Sequence, residues 1–264
     1  MTSQSRPYLV PPFARWLGCQ RIDLDECGST NDEAARLARA GARHGTVVIA
    51  NRQRTGRGRN GRAWDSPASL GLYLSAVVRP PLPLVDVPPM TLAIGIGVCD
   101  AVRAIGAPGM LKWPNDVLVG GKKVAGVLVE AQSQGPRVEA VIVGIGVNVA
   151  GRSDDLAPDV AHRAITLEQA AGSSIDRDAF IATLFASVER WIDRYVAMGI
   201  EEIIPAWHDR MAAGLSAQAQ VDGTMLTGQL AGLDRDGALL LRDHSGVLHR
   251  VRSGDVEVAA PTAW

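Results

Sequence analysis

The segment MLKWPNDVLVGGKKVAGVLVE, residues 110–130, is the part of the chain that best indicates whether the sheet is parallel or antiparallel. Short apolar runs, with no helical pattern between them, lie in and just after this segment: 110–113, 116–119, 124–130 and 138–149. Gly120 and Gly121 separate the second run from the third and are typical of a tight hairpin turn. Because parallel strands need long crossover connections, this spacing predicts a mostly antiparallel meander and an α+β fold.

Helices and further strands are predicted on both sides of the meander. Thr30 and Glu33 match a capping box, which predicts a helix beginning at Thr30, and Gly41 predicts its end after Ala40. Apolar periodicity and β-branched runs predict the other elements up to residue 211. These are strands at 46–53 and 70–78 and helices at 90–105, 166–171, 178–198 and 201–211.

From about residue 217 the sequence changes to short strands separated by Asp-Gly, His-Ser-Gly and similar turns. The predicted strands are 218–221, 225–233, 238–242, 247–251 and 256–258. Such a series is typical of a small all-β barrel or sandwich. We therefore predict two domains, a large α+β domain over residues 1–213 and a small β domain over residues 214–264. Residues 1–17 are interpreted as a loosely held arm.

Composition narrows the classes of function. Apolar residues make up 47% of the 264, and the net charge of −1 argues against a surface built for nucleic acid. The three cysteines form no C-x-x-C pattern and the five histidines are not spaced as ligands, so no protein-built metal site is predicted. Free thiols and the lack of a signal-peptide pattern predict a cytoplasmic protein. The most apolar stretch, Leu92–Val102, is too short to span a membrane.

The stretch RTGRGRNGRAW, residues 54–64, is rich in arginine and glycine. Its G-x-G-x-x-G pattern is formed by Gly56, Gly58 and Gly61. A dinucleotide-binding turn would be followed by a helix and, about 20 residues on, by a carboxylate, and the sequence has neither. Five arginines within residues 52–62 instead predict a loop for a carboxylate or phosphate ligand. We call residues 54–68 the arginine loop. Since its charges repel one another, we expect it to be mobile when empty and ordered by an anionic ligand; a solvated surface loop is the alternative.

Two further motifs place cations beside turns. Lys112–Asp116 combines a cation, an amide and a carboxylate around a proline that interrupts the strand. Asp116 could hold Mg²⁺ together with phosphate oxygens or orient an attacking amine, and a plain strand corner is the alternative. Lys122 and Lys123 lie at the mouth of the hairpin. One of them could reach a carboxylate or phosphate, although a solvated hairpin tip fits the pattern equally well.

A fourth motif is Gly144-Ile145-Gly146-Val147-Asn148. Two glycines within an apolar strand predict the close approach of a flat group or of another backbone. Together with Gly28–Asn31, these motifs resemble the biotin protein ligases in order and spacing across residues 28–149. The segments that carry the resemblance are Gly28–Asn31, Gln53–Trp64, Lys112–Asp116, Lys122–Glu130 and Gly144–Val149. Five segments in the same order are far more specific than any one of them.

The resemblance implies a catalytic domain like the core of class II aminoacyl-tRNA synthetases, with an SH3-like C-terminal domain. It also implies a reaction in two steps. The carboxylate of biotin attacks the α-phosphate of ATP, which arrives with Mg²⁺, and biotinyl-5′-AMP forms. A lysine of a biotin carboxyl carrier domain of an acyl-CoA carboxylase then attacks the acyl carbon.

The resemblance also assigns roles to individual residues. The implied catalytic residues are Lys123, Arg59 and Asp116. The implied biotin-binding residues are Ser29, Thr30, Asn31, Gln53, Gly56, Arg57, Gly58, Arg59 and Lys123. The implied ATP- and adenylate-binding residues are Arg57, Arg59, Arg62, Trp64, Lys112, Asn115, Asp116, Lys123 and Asn148. Trp64 would cover the adenine when the arginine loop closes.

Partners and alternatives complete the expectations. Only 28 residues precede Ser29, too few for the winged-helix domain of relatives that act as repressors, so DNA binding is not expected. We expect no membrane partner and either a monomer or a homodimer. One alternative is a lipoate ligase or octanoyl transferase of the same fold, against which the arginine loop and Lys112–Asp116 argue. The other is a non-enzymatic nucleic-acid binder, which the near-neutral charge disfavours.

Overall fold

The computed structural model describes residues 14–211, 216–221, 224–252, 254 and 256–258. The strands up to residue 211 are β1 (Gln20–Cys27), β2 (Thr46–Gln53), β3 (Gly71–Val78), β4 (Met110–Lys112), β5 (Asp116–Val119), β6 (Lys122–Gln134) and β7 (Arg137–Asn148). The helices are α1 (Thr30–Arg39), α2 (Val87–Ala104), α3 (Pro158–Ala161), α4 (Leu167–Ala171), α5 (Arg177–Met198) and α6 (Ile200–His208). The later strands are β8 (Ser216–Val221), β9 (Thr224–Leu233), β10 (Leu239–Arg242), β11 (Leu248–Val251) and β12 (Val256–Val258).

The first seven strands form one sheet in the order β1-β2-β3-β7-β6-β5-β4. All neighbours are antiparallel except β1 and β2, which are parallel and connected by α1. The predicted antiparallel meander is therefore confirmed, and one βαβ unit is added to it. Strand β1 has no counterpart among the predicted elements. It is an edge strand whose charged residues are mostly exposed, so its apolar signal is weak.

The two faces of the sheet bury different sets of residues. On one face, alternate residues of β7 belong to the same buried core as α2 and α5; they are Val141, Val143, Ile145 and Val147. On the other face Ala140 and Ile142 pack against α1. Because strand side chains alternate, Gly144, Gly146 and Asn148 continue along the α1 face. Three positions without large apolar side chains thus lie in a row, starting beneath the first turn of α1 and continuing beyond it.

Helix α2 lies between the sheet and α5. It starts at Val87, three residues before the predicted start, because Pro88 and Pro89 fit the first turn of a helix. A Cβ on Gly97 would lie 2.7 Å from the Cα of Val188, so this glycine allows α2 and α5 to approach closely. The segment Leu84–Ala104 is long and apolar enough to cross a membrane, but 67% of its 18-residue apolar window is buried inside the fold, as in a core helix.

The start of α1 differs from the predicted capping box. Ser29 occupies the N-cap position, with φ −147° and ψ 135°, and no side-chain cap bond is present. Glu33 pairs instead with Arg36 at 3.0 Å. The helix itself was predicted within one residue of its observed end. Because Thr30 lies one residue inside the helix, its buried hydroxyl is available for contacts with the sheet.

The segment that precedes β1 is fastened to α5, so the expectation of a loosely held arm is wrong for residues 14–17. Residues 1–13 lie outside the described part of the chain. The buried carboxylate of Glu189 accepts backbone N–H bonds from Arg15, Trp16 and Leu17 at 2.7–2.9 Å. Burial opposes ionisation of this carboxyl, but these bonds and the Arg15 side chain outweigh it and lower the pKa of Glu189.

We expect Glu189→Gln to lower the free energy of unfolding at pH 7 by about 1–3 kcal/mol, because the amide cannot accept all three backbone bonds. Asp193→Asn is the matched control, since the Asp193 side chain contacts the same segment but is 39% exposed. Its loss should stay below about 1 kcal/mol. A depressed pKa stabilises the fold above the unfolded value, so the contribution of Glu189 should vanish as the pH falls through its folded pKa. Urea unfolding of both variants across this range measures the difference, and equal losses would contradict the assignment.

The C-terminal strands form a separate antiparallel sheet in the order β11-β10-β9-β8-β12. The five predicted strands are all present, with bounds that differ by at most two residues. The predicted domain boundary between residues 213 and 214 falls within 212–215, outside the described residues, and stays a prediction.

The two sheets are joined by side-chain to backbone hydrogen bonds. The buried indole N–H of Trp113 donates to the carbonyl of Gly237 at 3.1 Å. The Nε2 atom of His208 accepts from the N–H of Leu233 at 2.8 Å. A Cβ on Gly237 would lie 2.9 Å from Leu92 of α2, so this turn fits closely against the larger domain. The segment Lys112–Asp116 is therefore attached to the C-terminal sheet through its tryptophan.

Candidate active site

The uncovered end of the α1 face is occupied by Trp64. Gly126 of β6 and Gly146 of β7 are directly paired across the two strands. A Cβ on Gly146 would lie 2.4 Å from the indole of Trp64, and one on Gly126 would lie 2.9 Å from it. The indole therefore rests on the backbone of both strands. The predicted approach of a flat group to the Gly144–Asn148 motif is confirmed, and the flat group belongs to the protein itself.

Three charged residues of the predicted site meet beside this indole. The Nζ atom of Lys123 is 2.6 Å from Oδ1 of Asp116, and the Nζ atom of Lys112 is 4.0 Å from Oδ2. The Lys123 ammonium also lies 5.0 Å from the ring centroid of Trp64. Asp116 begins β5 and Lys123 lies across the β5–β6 hairpin, so the turn at Gly120 and Gly121 brings them together. Two cations share one carboxylate here, which leaves positive charge available to an anionic ligand.

The two asparagines of the predicted adenylate site bind backbone in this structure. The side-chain amide of Asn115 donates to the Val127 carbonyl at 2.8 Å, and the Val127 N–H returns a bond to the Asn115 carbonyl at 2.9 Å. Asn148 donates to the carbonyls of Lys123 and Ile165 at 3.3 and 3.4 Å. Both side chains therefore hold the backbone around Lys123, and direct contact with an adenylate stays a prediction.

A buried polar cluster lies next to Trp64, under the start of α1. The Oε1 atom of Gln53 is 2.8 Å from the N–H of Thr30 and 3.0 Å from its hydroxyl. The Ser75 hydroxyl is 2.7 Å from that of Thr30 and 2.6 Å from Oδ1 of Asn31. The Asn31 amide lies against β7, because a Cβ on Gly144 would be 2.3 Å from its oxygen. Ser29 is also buried at this point, with 2% of its surface exposed.

Both ends of the polar cluster reach the arginine loop. At one end Gln53 donates to Ser66 at 2.9 Å. At the other end Asn31 donates to the carboxylate of Glu130 at 2.6 Å, and Glu130 lies 3.6 Å from the guanidinium of Arg57. A change of conformation in the loop would therefore disturb the cluster, and a ligand bound in the cluster would hold the loop.

The arginine loop forms a small hairpin. The Gly58 N–H donates to the Arg62 carbonyl at 2.7 Å, and a single 3₁₀ turn covers Arg59–Gly61. A Cβ on Gly56 would lie 2.5 Å from the Trp64 carbonyl, so the hairpin needs a glycine there. Arg59 is half-buried, whereas Arg62 is exposed at the end of the turn.

The argument that the loop repels itself needs correction. Arg52 and Arg54 both pair with Glu26, at 3.4 and 2.6 Å. Arg57 pairs with Asp32 at 2.7 Å, and this hydrogen bond raises the pKa of its guanidinium. Acidic side chains of β1 and α1 thus offset several of the arginines. The sequence pattern hid this, because the partners are more than 20 residues away.

The far end of the loop is attached to the segment after β7. The Asp65 carboxylate accepts from the N–H of Ala157 at 2.9 Å, and the Tyr73 hydroxyl donates to the Pro67 carbonyl at 2.9 Å. Burial raises the pKa of the Tyr73 phenol. Loop residues 150–165 and the arginine loop therefore border the Lys123 cluster from two sides.

An open groove with a volume of about 1240 Å³ runs from the tip of the arginine loop to the C-terminal sheet. It is lined by the start of α2, the outer edge of β6 and the turn at Arg235–Ala238. Lys123, Asp116 and Trp64 are not among the residues that line it. The groove is therefore a separate surface beside the charged cluster.

The structure brings most of the predicted site residues into two adjoining groups. The polar group holds Ser29, Thr30, Asn31 and Gln53, and the charged group holds Trp64, Lys112, Asp116 and Lys123. Sequence reasoning missed Ser75, Glu130, Asp32, Ser66 and Asp65 as members of the site. Ser75 had a usable signal, since a single hydroxyl in the buried strand GLYLSAVV needs a buried partner. Within the described ranges, no group of three or more His, Cys, Asp and Glu residues could hold a metal ion.

Comparison with known proteins shows which protein families this chain matches. Residues 28–148 match the biotin/lipoate A/B protein ligase family, and residues 219–258 match the biotin protein ligase C-terminal domain. The bifunctional ligase/repressor BirA of Bacillus spizizenii is 35% identical over 92% of this chain and 75% of its own length. The biotin–[acetyl-CoA-carboxylase] ligase of Paracoccus denitrificans is 35% identical over 84% of this chain and 94% of its own.

Solved structures give the same result. The biotin protein ligase of Aquifex aeolicus, in complex with biotin and ATP, has a TM-score of 0.78 and 29% identity. The match covers 92% of this chain and 99% of that one. The mixed sheet and the small antiparallel C-terminal sheet together form the fold of these ligases. The chain belongs to the biotin protein ligase family. The predicted family, fold class and enzyme class are confirmed.

Proposed function

We propose that this enzyme activates biotin with ATP to biotinyl-5′-AMP and then transfers the biotinyl group to a lysine of a biotin carboxyl carrier domain. The observation that carries the proposal is the adjacency of the polar and charged groups on one sheet face. Asn31 rests on Gly144 and Trp64 rests on Gly146, two residues further along β7. Residues two apart on a strand are roughly 7 Å apart. Biotin likewise has a ureido ring at one end and a carboxylate at the other, joined by a short chain.

The polar group suits the ureido ring. Ser29, Thr30 and Gln53 offer two hydroxyls and an amide to a group that both donates and accepts hydrogen bonds. Gly56, Arg57, Gly58 and Arg59 belong to the hairpin that would cover the ring. Their backbone and cationic side chains would then face the chain that joins the ring to the carboxylate.

The charged group suits the first step. Attack by the biotin carboxylate on the α-phosphate breaks the bond to pyrophosphate and concentrates negative charge on the phosphoryl oxygens. Lys123 would stabilise that charge, as would Arg59 when the hairpin closes. Mg²⁺ enters with ATP, and Asp116 is the carboxylate closest to the lysines. Arg57, Arg62, Trp64, Lys112, Asn115 and Asn148 are proposed to bind the nucleotide.

The same residues serve the second step. The carrier lysine attacks as a neutral amine: its nitrogen bonds to the acyl carbon, the bond from that carbon to the phosphate oxygen breaks, AMP leaves, and the amine proton passes to solvent. Asp116 would orient the incoming amine, since it is the carboxylate that already pairs with the ammonium of Lys123, at 2.6 Å. We further propose a cytoplasmic protein, active as a monomer or homodimer, with no membrane or DNA partner; a net charge of −1 supports the last point.

We expect the arginine loop, residues 54–68, to become more protected from hydrogen exchange when biotinyl-5′-AMP binds. Its Ser66, Arg57 and Asp65 contacts join it to three different parts of the site, and an anionic ligand adds contacts to its arginines. Exchange of the loop amides is measured with and without the adenylate. The helix α5, which is remote from the site, is the internal control. Equal loop protection in both states would contradict the lid.

The decisive test of the function is incubation with biotin and ATP, followed by mass spectrometry for biotinyl-5′-AMP. A parallel incubation with lipoate and with octanoate distinguishes the alternative ligase or transferase of the same fold. We expect adenylate from biotin and little from the other two acids. Addition of a carrier domain should then shift its mass by one biotinyl group. Preferential activation of lipoate would overturn the proposal.

A further inference from the structure

The hydroxyls of the polar cluster carry fewer protons than their contacts require. Three contacts join Gln53, Thr30, Ser75 and Asn31 through hydroxyl oxygens, at 3.0, 2.7 and 2.6 Å. Thr30 and Ser75 supply one proton each. Ser75 is fully buried, and Thr30 and Asn31 are each 4% exposed, so water has little access to these contacts. One of the three contacts therefore holds no proton.

Glu130 determines which contact that is. Its carboxylate, which also faces Arg57, accepts the hydrogen bond at 2.6 Å, so the Asn31 atom there is the amide nitrogen. The other Asn31 atom is then the oxygen, which only accepts, and the proton of Ser75 must point to it. Gly144 limits any rotation of this amide, because the Asn31 oxygen lies against the β7 backbone.

The proton of Thr30 is fixed in turn. Since Ser75 has given its proton to Asn31, the Thr30 hydroxyl faces two acceptors, Ser75 at 2.7 Å and Oε1 of Gln53 at 3.0 Å, and we assign its proton to the shorter contact, with Ser75. Gln53 cannot supply one to Thr30, because its Oε1 accepts from the Thr30 N–H at 2.8 Å and its Nε2 donates to Ser66. The hydroxyl oxygen of Thr30 and Oε1 of Gln53 are left 3.0 Å apart, both with lone pairs and no proton between them.

We propose that Glu130, Asn31 and Ser75 are positioning residues that make Thr30 and Gln53 a pair of acceptors for the N–H groups of the substrate ring. We call the series from Glu130 to Thr30 the proton relay. The inference rests on the proposed function, in which biotin is the substrate. A ureido ring supplies N–H donors to this pair, whereas the ring of lipoate has none. The relay thus selects the substrate through residues that do not contact it.

Ser75→Ala is the direct test, because it removes one hydroxyl and leaves Thr30 free to turn its proton toward Gln53. We expect the dissociation constant of biotin, measured by calorimetry without ATP, to rise about 10- to 100-fold. The KM for ATP should stay within a factor of two or so. Thermal unfolding verifies that the variant is folded. Activity with lipoate should not fall, so the ratio of biotin to lipoate turnover should drop by a similar factor.

Glu130→Leu is the second variant and acts at the exposed end of the relay, where the Glu130 side chain is 42% exposed. It should weaken biotin binding about 5- to 50-fold, since the Asn31 amide loses the partner that fixes its orientation. Glu130→Gln keeps an acceptor oxygen and should recover most of the affinity. Asp32→Asn is the matched control, because it removes the shorter ion pair of Arg57 and leaves the relay intact. It should weaken the attachment of the arginine loop without changing the biotin-to-lipoate ratio.

These results separate the relay from the proposed function. If wild-type protein binds biotin but forms no adenylate, the proposed function fails while the calorimetric test of the relay still stands. Biotin affinities of Ser75→Ala and Glu130→Leu within about twofold of wild type would overturn the relay. So would equal losses toward biotin and lipoate, or an effect of Asp32→Asn on the ratio as large as that of Glu130→Leu. Should Ser75→Ala fail to fold, the Glu130 variants decide.

Discussion

Lys123→Ala is expected to lower the rate of biotinyl-5′-AMP formation by about 10²- to 10³-fold, the usual loss when one preorganised charge contact is removed. The ammonium lies 2.6 Å from Asp116 and over the ring of Trp64, so a hairpin and a packed indole fix its position. It therefore needs little rearrangement when charge develops on the phosphoryl oxygens. The substitution also leaves Asp116 with Lys112 as its remaining partner, at 4.0 Å.

Pyrophosphate release measures this rate, and thermal unfolding verifies that the hairpin remains folded. Lys122→Ala is the matched control, because it removes the same charge from the neighbouring position of the same hairpin. It should retain a rate close to wild type. If Lys123→Ala released pyrophosphate as fast as Lys122→Ala, the ammonium would not act on the reacting phosphate, and another cation of the site would have to be sought.

Gly146→Ala should impair the enzyme without changing any polar group. The new Cβ would lie 2.4 Å from the Trp64 ring, a distance that requires the indole to move. Overpacking of this kind costs about 1–3 kcal/mol, and displacement of the indole would carry it away from Lys123. We expect adenylation to fall by roughly 10- to 100-fold, in line with that free energy.

Two further variants make this prediction specific. Gly95→Ala is the control, since its Cβ would meet only a Leu111 methyl at 3.6 Å and a helix prefers alanine to glycine. It should be as stable as the wild type or more so. Combining Gly146→Ala with Trp64→Leu should restore the free energy of unfolding while the activity stays low. If the double variant were no more stable than Gly146→Ala alone, the indole would not be the group that the methyl displaces.

The sequence predicted the α+β meander and the four motifs because their signals are local. Gly120 and Gly121 predict the hairpin regardless of its surroundings. Gly144 and Gly146 predict that some group approaches the backbone of β7 closely, but they do not predict which group it is. The identity of that group, Trp64, depends on β3 separating β2 from β7 in the sheet, which no local pattern contains. The same holds for the contact of Ser75 with Asn31, 44 residues away.

Two errors have a common physical origin. The capping box at Thr30 was chosen on local spacing, but Ser29 occupies the N-cap position and the Thr30 hydroxyl lies within 3.0 Å of Gln53 and 2.7 Å of Ser75. The arginine loop was judged by its own charges, although Glu26 and Asp32 neutralise much of it from outside. Tertiary partners decided both outcomes. A single sequence contains these partner residues, but its local patterns do not predict which of them are in contact in the fold.

The indole of Trp113 links the C-terminal sheet to the segment Lys112–Asp116 of the larger domain. Its N–H donates to the Gly237 carbonyl, while in the same segment Asp116 pairs with both Lys112 and Lys123. A C-terminal domain taken from a distant relative would have to present a backbone carbonyl at the same place. Without it, the backbone of Lys112–Asp116 would shift, and the pairing of Asp116 with Lys112 and Lys123 would be disturbed. The smaller module is for this reason poorly exchangeable. Engineers who build chimeras of such enzymes should transplant the turn at 234–238 together with the tryptophan that it receives.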